Sequence, residues 1–212
     1  MYLATYCRID ITRNLPRFFD RCTEEHVQAA MRVLRYLKSC PSLGITYKSG
    51  SRERTMVFSD ADFASDATDR KSTSGTLICR QGAPVVWHST KQSNVAQSST
   101  ESEFVSASES LKAALWIKEL LTELEINDPI TIYMDSQSAI SLIRQPQYYR
   151  RTKHIEIKYL AIRDHYEKGD VNIEYVSTHS MRSDFLTKPC KKPTFQKQKQ
   201  LAALETWEQR QV

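Results

Sequence analysis

Three short apolar runs between residues 55 and 89 follow one another with little chain between them. The runs read TMVFSDADF, SGTLICRQ and APVVWHS, and Gln81-Gly82 between the second and third suits a tight hairpin turn. Successive strands with such short connections pair as antiparallel neighbours. The sequence therefore predicts an antiparallel three-stranded meander.

The segments after this meander alternate between helical and extended patterns. Apolar residues recur every three or four positions from about Ser99 to Glu125, which predicts a long helix. The remaining predicted elements are a strand over 130–135, a short helix after it, a helix over about 154–168, a strand over 171–178 and a short helix over 181–188. The order β-β-β-α-β-α-α-β-α predicts an α/β fold with a mixed sheet and helices packed on it.

Two further segments flank this predicted domain. Residues 24–39 form an amphipathic helical pattern with Thr23 as its N-cap, and ITYKSGSRER after it predicts a strand and a charged link. Residues 191–212 are basic and then weakly helical. The apolar stripe predicted for the 24–39 helix consists of Val27, Ala30, Met31, Val33, Leu34 and Leu37.

Composition restricts the class of protein. With 212 residues, 40% of them hydrophobic and 26% charged, the chain suits one ordinary folded domain with appendages. Its net charge of +5 is compatible with a polyanionic partner but does not require one. Five widely spaced cysteines without a C-x-x-C pair argue against a disulfide framework or zinc site, and favour a reducing compartment. Without a secretory signal or an apolar run of ~18 residues, we expect an intracellular protein.

Four acidic residues stand at the ends of apolar strand-like runs or at the starts of helical ones: Asp60, Glu103, Asp135 and Asp184. A carboxylate with apolar flanks is costly to bury unless a positive group binds it. Four such carboxylates in one domain can share divalent metal ions, and paired metal ions held by carboxylates can hydrolyse a phosphodiester. This pattern makes the chain a candidate nuclease.

Each of these acids also has an ordinary structural interpretation. Asp60 could be a solvated acid at a strand end, with Asp62 and Asp66 as rivals, and Asp135 could be a helix N-cap. Glu103, with its rival Glu101, and Asp184 could be acids that the helix dipole favours in a first turn. Single positions leave these alternatives open.

Longer motifs help to decide between the metal-binding and the structural interpretations of these acids. They are D-R-K-S-T-S-G (69–75), K-Q-S-N-V-A-Q-S-S-T-E-S-E-F (91–104), Y-M-D-S-Q-S-A-I (133–140), R-T-K-H-I-E-I-K-Y (151–159) and L-T-K-P (186–189). In order and spacing this series resembles the ribonuclease H domain at the end of copia-type retrotransposon polyproteins. Residues 8–39 resemble the piece that joins reverse transcriptase to that domain, so the resemblance covers nearly the whole chain.

The resemblance implies an RNase H-like fold with a mixed five-stranded sheet. It implies a connection segment over 1–50, the RNase H-like domain over 51–190 and a basic helical tail over 191–212. By the same analogy, Asp60 bridges two Mg²⁺ ions, for which Mn²⁺ can substitute. Glu103 and Asp135 hold the ion that activates water, and Asp184 helps to hold the ion at the leaving oxygen.

The resemblance also implies an activity. The expected enzyme is an endonuclease that cuts the RNA strand of RNA–DNA hybrids, in a cytoplasmic or virus-like-particle setting. A reverse transcriptase domain is the expected protein partner. This fragment lacks a Y-x-D-D-like motif, so we expect no polymerase activity from it. The alternative is a catalytically silent retrotransposon remnant that only binds nucleic acid or has a structural role.

Two departures from relatives concern the site. Ser136 follows Asp135 where relatives often have D-N-Q-S-A, which leaves the acid itself unchanged. The resemblance also implies a histidine in a mobile loop about ten residues before the last acid, as in cellular RNase H enzymes. Here His179 precedes Asp184 by five residues, as a candidate accessory to product release or a plain loop histidine.

Basic residues supply the expected grip on nucleic acid. The candidates for phosphate contacts are Arg70, Lys71, Lys91, Arg151, Lys153 and His154. Such contacts would position a hybrid without reading its sequence, although a solvated basic face is the alternative for each. An integrase core, which has a Glu about 35 residues after its second Asp, is disfavoured by spacing. The acids nearest that spacing from Asp135 are Glu167 and Glu174, at 32 and 39 residues.

Overall fold

The computed structural model describes residues 2–13, 23–48, 54–66, 68–145 and 157–206, without the side chains of 157–159. The described strands are β1 Leu43–Ile45, β2 Met56–Asp62, β3 Thr73–Arg80, β4 Ala83–Lys91, β5 Thr131–Met134, β6 Asn172–Tyr175 and β7 Leu204–Thr206. The described α-helices are α1 Tyr2–Tyr6, α2 Glu24–Ser39, α3 Ser99–Glu123, α4 Gln137–Arg144, α5 Ile157–Glu167, α6 Asp184–Thr187 and α7 Lys192–Leu201.

The central sheet has the order β4-β3-β2-β5-β6. β2, β3 and β4 are antiparallel neighbours, whereas β5 runs parallel to β2 and β6 parallel to β5. Arg80 pairs with Ala83 across the predicted hairpin, where Gln81 and Gly82 both have positive φ, as a tight two-residue turn requires. The prediction of a mixed five-stranded sheet flanked by helices is confirmed.

Two apolar layers cover the two faces of the sheet. Val57 and Ile78 point into a core shared with Phe104 of α3 and Ile162 of α5. Their neighbours Phe58 and Leu77 point the other way, into a second core. That second core also contains Ile9, Trp87, Met181, Phe185, Leu186, Ala202 and Leu204. Asp60 has the parity of Phe58, so its side chain lies on the face that α6 covers.

The long helix α3 packs closely on the sheet through small polar residues. The hydroxyl of Ser59 donates to that of Ser106, and Thr76 and Ser110 share a hydrogen bond of 2.7 Å. These serines are buried beside the apolar residues that the periodicity identified. Close packing here brings the N-terminal part of α3, with Glu103, against the end of β2.

The flanking segments differ from expectation. Helix α2 has the predicted Thr23 cap, yet none of its side chains is fully buried, and Val27, Met31 and Leu34 of the predicted apolar stripe are exposed. The predicted helix over 154–168 begins at Ile157 among the described residues, since 154–156 lie outside them. Within the tail, β7 pairs antiparallel with β1, a strand pair that the sequence did not predict.

Among the helices of the described ranges, none combines the length and the apolar character needed to cross a lipid bilayer.

Candidate metal centre

Asp60 lies in the central strand of the sheet with a fully buried side chain. It stands opposite Gly75 of β3, and its backbone carbonyl accepts a hydrogen bond from the Ser106 hydroxyl. Its exposed fraction is 0%. The Thr187 hydroxyl donates to Oδ2, and the Lys188 ammonium lies 3.2 Å from Oδ1. A carboxylate so deeply buried needs these partners or a cation.

Glu103 reaches the same place from the N-terminal part of α3, just after the first turn in which Glu101 lies and not in that turn as predicted. Ser98 caps this helix by accepting a hydrogen bond from the Glu101 backbone N–H. Glu103 is 8% exposed and accepts a hydrogen bond from the Ala61 backbone N–H. Its Oε2 atom is buried and has no hydrogen-bond partner within the described ranges. An acceptor left in this state is destabilising unless something positive binds it.

Asp135 completes a group of three carboxylates. It follows β5 directly, and its Oδ2 accepts a hydrogen bond of 2.8 Å from the Thr178 hydroxyl. Asp60, Glu103 and Asp135 each offer one carboxylate oxygen, and these oxygens all lie within 4.8 Å of one another. Oxygens so spaced can contact one divalent cation at normal ligation distances. The donors are all hard oxygens, so the group fits a hard divalent ion.

Asp184, the first residue of α6, joins this group through a lysine. The Lys188 Nζ atom lies 3.0 Å from Asp184 Oδ1 and 3.2 Å from Asp60 Oδ1. Helix α6 is held against the sheet because Gly75 leaves space for it. A Cβ atom at Gly75 would lie 2.5 Å from Thr187 Cγ2. The absence of a side chain at Gly75 therefore helps to position Asp184 and Lys188.

Burial, together with the crowding of negative groups, changes the proton affinity of these acids. Burial, followed by the charges of Asp60 and Asp135, raises the pKa of Glu103 to about 9. Burial also raises the pKa of Asp60 to about 6, although the Lys188 charge and the Thr187 hydroxyl oppose the shift. Burial lowers the pKa of Lys188, but the Asp60 charge and the Asp184 hydrogen bond outweigh it and raise the pKa overall. Without a metal ion, the centre favours a protonated Glu103.

The rival acids have other partners. The Glu101 side chain accepts a hydrogen bond of 2.7 Å from the Gln97 backbone N–H, at the start of α3. Asp62 lies 3.9 Å from Arg13, and Asp66 pairs with Lys91 at 2.7 Å. We therefore keep Asp60 and Glu103 as the candidates in their segments.

The predicted phosphate contacts lie at varied positions. Arg70 is exposed and Lys71 is half-buried, whereas the Lys91 ammonium pairs with Asp66 and also with Asp69, at 2.9 Å. Arg151, Lys153 and His154 lie outside the described residues. His179 is exposed in a short 3-10 turn, Thr178–Ser180, whose first residue donates to Asp135.

Comparison with known proteins places the chain among retrotransposon sequences. It is 40% identical over 200 residues to the "Retrovirus-related Pol polyprotein from transposon RE1" of Arabidopsis thaliana, an alignment that covers 92% of this chain and 14% of that polyprotein. It is 33% identical over 210 residues to the "Retrovirus-related Pol polyprotein from transposon TNT 1-94" of Nicotiana tabacum, covering 97% and 16%. The chain is homologous to the Pol polyproteins of copia-type retrotransposons. It spans only 14–16% of the length of these two relatives.

Two further comparisons add less. No protein-family model matches this Pol homologue. Among solved structures, LC11-RNase H1, isolated from compost by a metagenomic approach, is similar with a TM-score of 0.42 and 14% identity, over 63% of this chain and 92% of its own. A TM-score below 0.5 is too low to compare the two sites residue by residue. The candidate site described above therefore rests only on the geometry of this chain.

The sequence did not single out the side chains that orient the acids of this Pol homologue. Thr178, Thr187 and Lys188 contact Asp135, Asp60 and Asp184, and no role was predicted for them. One signal was present for Lys188, because it stands four residues after Asp184, where helical side chains meet. The threonines gave no comparable signal, since their contacts cross the fold.

Proposed function

We propose that this chain is a metal-dependent endonuclease that hydrolyses the RNA strand of RNA–DNA hybrids. The observation that carries the proposal is the group of three carboxylate oxygens within 4.8 Å of one another, one of them on a glutamate with an unpartnered buried oxygen. Homology to Pol polyproteins and the RNase H motifs of the sequence supply the substrate class. A hybrid offers 2′-hydroxyls on one strand and DNA geometry on the other, which allows one strand to be selected.

The cofactor that we propose is Mg²⁺, as two ions. Carboxylate oxygens are the ligands that Mg²⁺ prefers. Asp60, Glu103 and Asp135 would hold one ion, and Asp60 with Asp184 would hold the other. When bound, the ions lower the pKa of water and neutralise charge on the reacting phosphate.

The protein's own groups have separate tasks in this scheme. Glu103 gives up its proton when a cation binds, since the positive charge offsets the burial and the neighbouring carboxylates that raised its pKa. Thr178 fixes the orientation of Asp135, and Thr187 fixes that of Asp60. For His179, which follows Thr178 in the chain, the proposed role is to assist product release. Thr178 and Thr187 thus orient two of the acids, whereas Glu103 acts through the loss of its proton.

Substrate would be gripped through its phosphates. Arg70, Lys71 and Lys91 are proposed contacts from the described residues, and Arg151, Lys153 and His154 complete the set. Lys91 would have to exchange Asp66 and Asp69 for a phosphate, so we expect it to contribute least. We retain the proposed division into a connection segment over 1–50, a nuclease domain over 51–190 and a tail over 191–212. A reverse transcriptase domain is the proposed neighbour in a longer polyprotein.

A cleavage assay tests the proposal. The purified chain is incubated with Mg²⁺ and a labelled RNA–DNA hybrid, beside duplex DNA and duplex RNA of the same sequence. We expect cleavage of the hybrid RNA alone, its loss in Asp135→Asn, and its retention in the matched control Asp62→Asn. Binding of the hybrid without cleavage by the unmodified chain would instead identify a silent nucleic-acid-binding remnant.

A further inference from the structure

Lys188 places a positive charge inside the group of acids. Its ammonium lies 3.2 Å from Asp60 Oδ1 and 3.0 Å from Asp184 Oδ1. Neither contact involves Glu103 or Asp135, the other two acids of the centre. Lys188 therefore neutralises one side of the acidic group and leaves the other side to the three carboxylates described above.

The position of this ammonium coincides with the place proposed for a second metal ion. A divalent ion held between Asp60 and Asp184 would bind the two carboxylates that Lys188 bridges through their Oδ1 atoms, and Oδ2 of Asp60 already accepts the Thr187 hydroxyl. Two positive groups sharing one pair of carboxylates repel each other strongly at such distances. Lys188 and a second ion are therefore competitors.

Lys188 has freedom to move out of this position. Its backbone is fixed, because its N–H donates to the Asp184 carbonyl at 2.9 Å where α6 ends. Its side chain, by contrast, is long and 36% exposed, and it also lines a cavity of about 330 Å³ beside Arg13, Tyr36 and Phe195. A swing of the side chain requires no change in the fold.

We propose, resting on the proposed function, that Lys188 is a tethered cation that occupies the position between Asp60 and Asp184 and sets the affinity of the second metal ion there. The centre then binds one divalent ion readily at Asp60, Glu103 and Asp135. A second ion binds only when Lys188 leaves, and the arrival of a polyanionic substrate, which offers phosphates to the released ammonium, favours that exchange. Lys188 is thus a positioning residue that couples metal occupancy to substrate.

The alternative role for Lys188 is purely structural. An Asp184–Lys188 pair four residues apart stabilises the end of a helix. In that case removing the ammonium lowers stability and leaves the affinity of each metal ion unchanged. Metal affinity, measured apart from activity, therefore separates the two roles.

The experiment measures binding of Mn²⁺ alone to the full chain, from the spectroscopic signal of free Mn²⁺ during titration. Lys188→Met is compared with the wild type and with Lys191→Met, a matched control that removes an exposed lysine nearby. We expect Lys188→Met to tighten the second, weaker dissociation constant by about 10-fold or more, the scale of one nearby charge in a partly buried site. The first constant should change by a smaller factor, and Lys191→Met should match the wild type.

Other outcomes overturn the inference in distinguishable ways. A second dissociation constant in Lys188→Met within about twofold of the wild type refutes competition by this charge. No Mn²⁺ binding by any of the three chains removes the metal centre, and with it both the proposed function and this inference. Should Lys188→Met fail to fold, Lys188→Gln replaces it, since the amide removes the charge and still hydrogen-bonds to Asp184.

Discussion

At the scale of single residues, Glu103 has surroundings in which an ordinary glutamate is destabilising. It is buried, two other carboxylates lie beside it, and one of its oxygens lacks a hydrogen bond within the described ranges. Such an arrangement persists in a folded protein when a bound cation offsets its free-energy cost or when function requires it. We therefore expect the metal-free chain to be less stable than a variant with a neutral side chain in place of Glu103.

Replacing Glu103 with Gln tests this account of stability. The amide keeps an acceptor for the Ala61 N–H and adds donors that face Asp60 and Asp135. We expect the free energy of unfolding of the metal-free protein at pH 7 to rise by about 1–2 kcal/mol, because one pKa unit is equivalent to about 1.4 kcal/mol. Urea denaturation in the presence of a chelator measures it. Glu101→Gln is the control, and a loss of stability in Glu103→Gln contradicts the account.

The same residues predict how stability depends on pH. Asp60 and Glu103 both have a higher pKa in the folded state than their ordinary values of 3.8 and 4.5, because burial raises them to about 6 and about 9. For a raised pKa, the stabilisation is complete below the unfolded value and is lost as the pH rises through the folded value. The metal-free chain should therefore lose stability between about pH 4 and pH 9.

Denaturation experiments across this pH range test whether stability falls as the pH rises. With chelator present, Glu103→Gln should show a flatter decline above about pH 7 than the wild type, since Asp60, with a pKa of about 6, is by then mostly ionised. Saturating divalent ion should reverse the trend, because metal ligands must be deprotonated to bind. Parallel curves for the wild type and Glu103→Gln would argue that Glu103 is not the titrating group.

At the scale of elements, β3 and α6 pack closely because Gly75 of β3 has no side chain. Gly75 lies opposite Asp60 in the sheet, and α6 packs above it with Thr187 and Leu186 in the space that a Cβ atom would take. The two elements thus hold Asp60, Asp184 and Lys188 in one arrangement.

Gly75→Ala should disturb that arrangement. A methyl group 2.5 Å from Thr187 Cγ2 forces α6 away from the sheet, at a cost of about 1–3 kcal/mol in stability, the usual range for overpacking. Hybrid cleavage should fall with it. Gly44→Ala is the matched control, because nothing lies within 4 Å of a Cβ atom there.

A second substitution sharpens the test. Thr187→Ser removes the clashing methyl group and keeps the hydroxyl that donates to Asp60. In the Gly75→Ala background it should restore part of the lost stability and activity. Failure of this double variant to recover either quantity would place the defect somewhere other than the contact between β3 and α6.

Sequence patterns predicted the elements whose signals are local. The Thr23 cap, the Gln81-Gly82 turn and the period of α3 each depend on residues a few positions apart. The unburied stripe of α2 and the pairing of β7 with β1 depend on what lies next to a segment in space. The same division holds in the candidate site, where the flanking residues suggested four candidate acids and gave no indication of the contacts of Thr178, Thr187 and Lys188.

At the scale of the whole molecule, the two ends of the chain contribute to one core. β1 pairs with β7, and Trp87 Nε1 donates to the Ala4 carbonyl at 2.7 Å. Ile9 and Leu204 belong to the same apolar cluster as Phe58 of the central strand. The proposed connection segment and tail are thus packed against the proposed nuclease domain in this structure.

Leu204→Ala tests the contribution of the tail. Removing a buried leucine side chain should lower the free energy of unfolding by about 2–3 kcal/mol, in a single transition with the rest of the domain. The control is Leu124→Ala, since Leu124 is exposed. If thermal denaturation shows equal, small effects for both variants, the tail does not share the core.

The most direct test of the metal centre is a crystal structure of the chain soaked with Mn²⁺, read from the anomalous scattering of the metal. The account predicts a peak within about 2.0–2.5 Å of oxygens from Asp60, Glu103 and Asp135, the distance range of such ligation. Glu103→Gln crystals under the same conditions should show a weaker peak or none. Absence of a peak among these three carboxylates in the wild type, or Mn²⁺ bound elsewhere instead, contradicts the central claim.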